Sequence, residues 1–422
     1  MGVKDTANLA MIPAAYAEDK VYSVLPSDGD GDFTFTRTGS GTRINKGGYI
    51  ETMAENVPRL NYRLDADGNP KGCPELLLEE SRQNKVFPNN SLTGYSTIGV
   101  STTNNDTIAP NGTNEGAKVQ ATTSGTAVVF KGFTGTSGVT HNISAFVKAG
   151  TYNQVRLQEG FSASNIDVNL SNGNIVANSN SSNLNVEKYP NDWYRVSFDF
   201  TSSSTNLQFA LYFNGSYSSG ENIYLYGGQI EQGSGATSLI NTTSGAITRN
   251  KDSAYNQPFG DLTSDYPITV YWKGTVDAIS TNQTIFSIYK NGSAVDYLRF
   301  SWANASFVQV ERRRTTQDVD SQTYSVIVGE VKKVAIKFTS ATSYKLYIDG
   351  IEVRNESSGT NLSWDFNSVV IGTTRIVSDT GFRNTCDELF VWNKALTDAE
   401  MVDVTSYDTF AEMANNQQYT IQ

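Results

Sequence analysis

Apolar and polar residues alternate in short runs along the whole chain, and no long stretch follows the period of an amphipathic helix. Val334, Ile336 and Phe338 alternate with Ala335 and Lys337, and Leu346 and Ile348 stand two residues apart in Tyr344-Lys345-Leu346-Tyr347-Ile348. A period of two sends successive side chains to opposite faces, so such runs predict half-buried strands. They recur at Ile143–Ala149, Asn153–Gln158, Ile166–Leu170, Trp193–Phe200, Leu207–Phe213 and Asn222–Glu231, then at Ile268–Trp272 and Asp387–Trp392. Clusters of Gly, Asn, Ser and Thr separate them. Asn172-Gly173 and Asp349-Gly350 predict two-residue hairpin turns, because a type I′ turn needs positive φ at both central positions. The Ser/Thr/Asn-rich stretches around 101–126 and 177–185 read as surface loops. Thr397-Asp398-Ala399-Glu400 is a capping box and predicts a short helix.

The pattern gives an all-β fold: two tandem antiparallel β-sandwich (jelly-roll) domains preceded by an N-terminal attachment arm and a small module. The divisions fall at 1–32 (arm), 33–85 (Arg- and Gly-rich connector), 86–250 (first sandwich) and 251–422 (second sandwich). The arm carries an apolar stretch, Leu9 to Ala17, but Asp5 and Pro13 do not suit a leader. It reads as part of the mature protein, and the family resemblance given below implies that it is ordered by docking on neighbouring subunits.

Composition then removes whole classes of function. Across 422 residues, 32 Lys+Arg against 43 Asp+Glu leave a net charge of −11, which opposes nucleic-acid binding. No apolar run reaches the ~20 residues of a membrane helix. Two cysteines, Cys73 and Cys386, make neither a disulfide framework nor a zinc site. With one histidine, His141, any Ser-His-Asp triad or His-ligated metal would hang on that single side chain. Its place in the strand-like Thr140–Val147 suggests a solvent-facing strand residue.

Candidate chemistry is sparse. Two carboxylates about 5–10 Å apart are needed for glycan hydrolysis. The chain has no Glu-x-Asp, and the adjacent acids Glu79-Glu80 and Asp387-Glu388 point to opposite faces on a strand. For sugar binding, aromatic faces must be exposed beside polar groups. Tyr152 and Tyr217, both in polar turns, are the platform candidates; covering loop bases or subunit contacts is the other role open to them. Trp193, Trp272 and Trp392 sit in apolar strands and read as core, whereas Trp302 and Trp364 fit either place. Asp28-Gly29-Asp30-Gly31-Asp32 alternates carboxylates with flexible glycines, as calcium loops do. It lacks the other EF-hand marks, so an acidic turn closing the arm stands against a calcium site at Asp28, Asp30 and Asp32; no other cofactor is expected. Glu311-Arg312-Arg313-Arg314 is the densest basic run, a guarded sheet edge or a contact for an anionic glycan or acidic subunit.

Phe35-Thr36-Arg37-Thr38-Gly39-Ser40-Gly41-Thr42-Arg43-Ile44, then Pro58-Arg59-Leu60-Asn61-Tyr62 and Cys73-Pro74-Glu75-Leu76-Leu77-Leu78-Glu79, resemble a module of tailed-bacteriophage virion proteins. Where that family continues Glu-Pro-x-Arg-Thr-Asn, this chain has Glu79-Glu80-Ser81-Arg82-Gln83-Asn84, which alters the local turn. Trp193-Tyr194-Arg195-Val196, Ile223–Gly233, Ala236-Thr237-Ser238-Leu239-Ile240 and Thr248-Arg249 are similar to the carbohydrate-binding-like jelly roll of such proteins. Tyr347-Ile348-Asp349-Gly350, Ile371-Gly372, Asp387-Glu388-Leu389 and Leu396–Glu400 resemble a concanavalin-A-like, laminin-G-like lectin domain. The resemblance implies a non-enzymatic structural protein of the virion surface, assembled in the host cytoplasm: a head fibre, capsid decoration or tail fibre that adheres to host-surface glycans. Its implied partners are other virion proteins, bound through the N-terminal region, and further copies of itself, a trimer by family. No nucleic acid or membrane partner is implied. A virion depolymerase and a bacterial surface adhesin are the alternatives.

Overall fold

A computed structural model describes residues 2–14, 20–256, 266–277, 283–290, 297–313, 317–357, 367–372 and 383–406. Among these the chain is built from antiparallel sheets, with one α-helix, Asp398–Ser406. The first sandwich packs two six-stranded sheets. One runs Val100–Thr107, Gly116–Ala121, Asn222–Gln232, Thr140–Ala149, Trp193–Thr201, Ser182–Tyr189; the other runs Asn174–Ser179, Ser164–Asn169, Gln154–Glu159, Asn206–Phe213, Val128–Thr134, Ser96–Ile98. The alternating residues Ile143, Ala145 and Val147 of one sheet meet Val155, Leu157, Phe209 and Leu211 of the other in a shared core.

The polar stretches expected as loops contain strands instead. Val100–Thr107 and Asn174–Ser179 are edge strands whose side chains are mostly exposed. A strand exposed on both faces needs no apolar alternation, so the pattern hid it. Asn172-Gly173 does turn the chain, but within a four-residue connection between Asn169 and Asn174. Only Gly173 has positive φ, and its N–H reaches Asn169 O at 2.8 Å. Asp349-Gly350 meets the expectation, with φ of 50° and 82° between Ser343–Ile348 and Ile351–Glu356. The capping box is also present: Glu400 N donates to Thr397 Oγ1 at 3.2 Å and Thr397 N to Glu400 Oε2 at 2.7 Å.

The second sandwich packs two seven-stranded sheets, and the N-terminal residues belong to both. Leu9–Met11 pairs with Glu388–Trp392 in the register Leu9 to Val391, Ala10 to Phe390 and Met11 to Leu389, and Ser23–Leu25 adds the edge. Phe33–Thr36 closes the opposite sheet beside Ser253–Asn256. The free docking arm expected for 1–32 is therefore not what forms. Leu9-Ala10-Met11 is apolar on both faces: Leu9 and Met11 enter the inter-sheet core, and Ala10 joins the layer that Met401 and Val404 of the helix make with Tyr271 and Phe390. A short run apolar on both faces is stable only inside a protein.

Between the sandwiches lies the connector, a hairpin of Gly41–Ile44 with Ile50–Met53 and a sheet of Arg59–Leu64, Pro70–Glu79 and Arg383–Cys386. At its centre are buried charges. Arg59 pairs with Glu79 at 2.6 Å and with Asp252, Arg37 pairs with Asp252 at 3.2 Å, and Arg249 pairs with Glu79 at 2.8 Å; all five side chains are out of solvent. Glu231, also buried, adds a third carboxylate acting on Arg249. Ser238 donates its N–H and hydroxyl to Glu79 at 2.7 and 2.6 Å, and Arg249 reaches Glu80 O at 2.6 Å. Gly41 leaves room for the guanidiniums, since a Cβ there would lie 3.1 Å from Arg59 Cδ and 3.2 Å from Arg37 Cζ. Burial alone pushes the Glu79 carboxyl up, but Arg249, Arg59 and Ser238 outweigh it and hold it well below the usual carboxylate range.

Two outcomes follow for denaturant unfolding. Leu9→Ala should destabilise the second sandwich by about 2–5 kcal/mol, the range for a buried leucine, and leave the first sandwich unchanged. Arg59→Ala leaves Glu79 and Asp252 short of a countercharge and should cost about 3–5 kcal/mol. Because the folded Glu79 pKa is depressed, its contribution is complete at neutral pH and is lost as pH falls through and below the ordinary carboxylate range. An Arg59→Ala protein as stable as the parent would show that the cluster does not hold the connector.

Candidate functional site

The sheet that ends in Phe33–Thr36 runs from there through Ser253–Asn256, Ser368–Ile371, Gln283–Tyr289, Tyr297–Asn304 and Phe307–Arg313 to Gln317–Thr323. One face of it supplies Phe286, Ile288, Leu298, Phe300 and Val310 to the core. The alternate residues face away in cross-strand rows. The middle row is Val319, Glu311, Arg299, Ser287, Val370, Tyr255 and Thr34. Beside it lie Gln317, Arg313, Tyr297, Tyr289 and Ser368 on one side, and Ser321, Gln309, Ser301 and Thr284 on the other.

At the centre Arg299 pairs across strands with Glu311. Tyr297 Oη donates to Glu311 Oε1 at 2.8 Å and Gln317 Nε2 donates to the same oxygen at 2.7 Å, while Arg313 Nη1 reaches Tyr297 Oη at 3.5 Å. Burial pushes the Tyr297 phenol up, so it stays a donor at neutral pH. Glu311 is 1% exposed and Arg299 8%, while Arg313, Gln309 and Tyr255 are half-buried and Val319 and Phe307 are exposed. The centre is thus a fixed donor and acceptor pair sealed among Tyr289, Tyr297, Val370, Ser287 and Ser301, and only the rim at Gln317, Val319 and Phe307 is open to solvent.

The basic run of the sequence divides as its strand period requires. Glu311 and Arg313 join this face. Arg312 turns the other way, bonded to Asp318 at 2.5 Å and lying 5.4 Å over the Tyr344 ring. Arg314 and Trp364 lie outside the described residues. Trp193, Trp272, Trp302 and Trp392 are all buried.

The residues singled out beforehand lie elsewhere. Tyr152 and Tyr217 do come together, with ring centroids 5.7 Å apart, but in an aromatic cap at one end of the first sandwich. Tyr152 is only 8% exposed, stacks on Phe213 at 5.6 Å and donates its hydroxyl to Asn214 O, so it is no open platform. Tyr217 is half-buried beside Phe213 at 5.1 Å and donates to Gly125 O. The three aspartates do not converge either. Asp32 is turned inward, accepting from Ser23 N at 2.8 Å and Lys20 Nζ at 2.7 Å, and Asp28 caps Asp30 N at 3.1 Å. Among the described residues no group of three or more His, Cys, Asp or Glu side chains gathers as metal ligands. His141 is buried, not solvent-facing. It stacks on Phe200 at 5.5 Å, and burial lowers its pKa.

A cleft of about 1390 Å³ separates the connector, the first sandwich and the turn at Val326–Gly329 of the second. Arg63 spans its wall, bonded to Glu75 at 2.8 Å and to Asp277 at 3.0 Å. Close by, burial first and Glu75 second push the Asp387 carboxyl up to about 7, against the pull of Lys273 and Arg63.

Residues 249–401 match the family model described as the concanavalin A-like lectin/glucanases superfamily. The second sandwich is thus lectin-like in fold, similar to the concanavalin A-like superfamily. The match begins after the three N-terminal strands that complete this lectin-like sandwich, and it includes the Arg299–Glu311 pair. Among solved structures, the IT-sialidase CBM40 of Ruminococcus gnavus bound to alpha2,3 sialyllactose is 18% identical, with a TM-score of 0.30, over 35% of this chain and 84% of that chain. The NanB sialidase from Streptococcus pneumoniae is 22% identical, with a TM-score of 0.28, over 32% of this chain and 23% of its own. The heptameric SAP-like pentraxin of Limulus polyphemus is 16% identical, with a TM-score of 0.28, over 35% and 74%. No curated protein matches the sequence.

The raised Asp387 pKa has a testable sign. A carboxyl that titrates higher folded than unfolded takes up a proton on folding, so stability rises as pH falls from about 8 towards about 5. Thermal melts across that range should show the rise, and Asp387→Asn should flatten it. An unchanged slope in the variant would assign the effect to another group.

Proposed function

We infer that this chain is a glycan-binding structural protein of a tailed-phage particle, displayed on the virion surface and adhering to host glycans without cleaving them. The observation that carries the binding is the match of residues 249–401 to the concanavalin A-like lectin/glucanases superfamily, borne by a sandwich of two seven-stranded sheets. The phage placement is supported by the resemblance of residues 35–79 to virion modules. Those residues supply Arg37, Arg59 and Glu79 to the buried junction, so the module is built to fix two sandwiches to each other. Attachment to other virion proteins falls to the connector's outer surface, because the first strands are spent inside the lectin-like sandwich. Many weak copies on one particle, in trimers or other homo-oligomers, would reach useful avidity.

Binding of the purified chain to host cells and to arrayed oligosaccharides tests the reading. The parent chain should bind host cells and at least one arrayed oligosaccharide, with no release of reducing sugar. Absence of the chain from purified particles would overturn the virion placement. Release of reducing ends from host polysaccharide would move the function to a depolymerase.

A further inference from the structure

The seam that joins the connector to the second sandwich holds more acid than base. Arg383–Cys386 pairs with the connector strand Pro70–Glu79, from Arg383 opposite Glu79 to Cys386 opposite Leu76. The pairing stops there, and the residues next in line on the two strands are Asp387 and Glu75. Carboxylates side by side across strands repel. Glu75 is occupied: Arg63 Nε donates to its Oε1 at 2.9 Å and to its Oε2 at 2.8 Å, and Arg63 Nη2 donates to Asp277 Oδ1 at 3.0 Å. Asp387 is fixed by its backbone, whose N–H donates to Lys273 O at 2.8 Å, while its buried Oδ1 has no hydrogen-bond partner.

Among the described residues the charges that act on Asp387 are Glu75 and Arg63 from the connector, Lys273 from Ile268–Thr275, and Glu388 beside it. Lys4 matches Glu388 at 2.5 Å. Tyr271 and Cys386 are also close, but burial pushes the phenol and the thiol up, so both stay neutral. In the cleft, Asp277 and Glu187 of the first sandwich face Arg63, and Glu187 lies near Arg195 as well. With those two acids matched, Glu75, Asp277 and Asp387 stand against Arg63 and Lys273, one negative charge in excess.

We propose that this seam is a proton-operated latch: Asp387 carries a proton while the seam is shut, and losing that proton frees Arg383–Cys386 from the connector. The proton removes the excess charge and lets the carboxyl stay buried beside Glu75. The Asp387 carboxyl titrates at about 7 in the shut seam and at about 4 once exposed. Between those values each opening releases one proton, so the open fraction rises about tenfold per pH unit and levels off above them. The cleft beside Arg63 and Asp277 gives water a path to the seam. Opening stays local, because Phe33–Thr36 remains in the sheet of the second sandwich and Arg37 remains on Asp252. Mild acid thus stiffens the joint between the connector and the lectin-like sandwich, and neutral pH loosens it.

Hydrogen exchange of the full chain, corrected for intrinsic rates, reads such openings segment by segment. Protection of the amides of residues 76–79 and of Arg383–Cys386 should fall at least tenfold from about pH 5.5 to about pH 7.5, while that of Thr140–Ala149 in the first sandwich stays within twofold. In Asp387→Asn the seam should stay within twofold over the same range. Glu75→Gln, which removes the neighbouring charge and leaves Arg63 on Asp277, should move the fall to lower pH, and it serves if Asp387→Asn fails to fold. A seam whose protection ignores pH, an equal fall in Thr140–Ala149, the full fall in Asp387→Asn or an unmoved fall in Glu75→Gln would each overturn the proposal.

Discussion

The fold turns on a set of charges that water cannot reach. Arg37, Arg59 and Arg249 are sealed with Glu79, Asp252 and Glu231 where the connector meets both sandwiches. Moving any one of them from water into the interior is expensive, and only the opposite charges and hydrogen bonds around it offset that. The members come from separate stretches: Arg37 and Arg59 from the connector's start, Glu79 from its last long strand, Glu231 from the first sandwich, Arg249 and Asp252 from the passage into the second. None is tolerable until the others arrive. The cluster therefore acts as a demand for completeness, and it ties the relative position of the two sandwiches to backbone atoms such as Glu80 O and to Ser238.

Much of this was legible in the chain, and the failures have physical causes. Strands with one buried face announce themselves by alternation, and Asp349-Gly350 and Thr397–Glu400 are local devices whose chemistry lies within four residues. Edge strands such as Val100–Thr107 have little buried face to announce. His141 looked exposed because its neighbours alternate, yet Phe200 comes from a distant strand to stack on it. The arginines of the virion-like motif were visible as a pattern, but their role depends on Asp252, far along the sequence. The lectin-like face was hidden most thoroughly. Arg299 and Glu311 become neighbours only through strand register, and the sole local hint was an acid heading the run Glu311–Arg314.

The two sandwiches solve the same surface problem in similar ways. Each places an arginine opposite an acid on a neighbouring strand, sets tyrosine beside the pair, and surrounds both with amides or hydroxyls. Cross-strand pairs of this kind stabilise a sheet, so the polar face does not weaken the fold that carries it. In the first sandwich the arginine is left partly open to solvent; in the second the pair is nearly sealed and the unshared charge of Arg313 lies at the rim. Small changes of depth thus leave one cross-strand pair, Arg156–Asp167, open to solvent and seal the other, Arg299–Glu311.

The strand Leu9–Met11 finds its partner, Glu388–Trp392, only near the far end of the chain. On a ribosome adding ~5–20 residues per second, roughly 20–80 s pass between the synthesis of the two. Throughout that interval the first sandwich can close on itself, while the earliest strands wait unpaired and the second sandwich lacks both. The lectin-like half is therefore a late product of translation, and a chain broken off early yields a folded first half with sticky, unmatched strands attached.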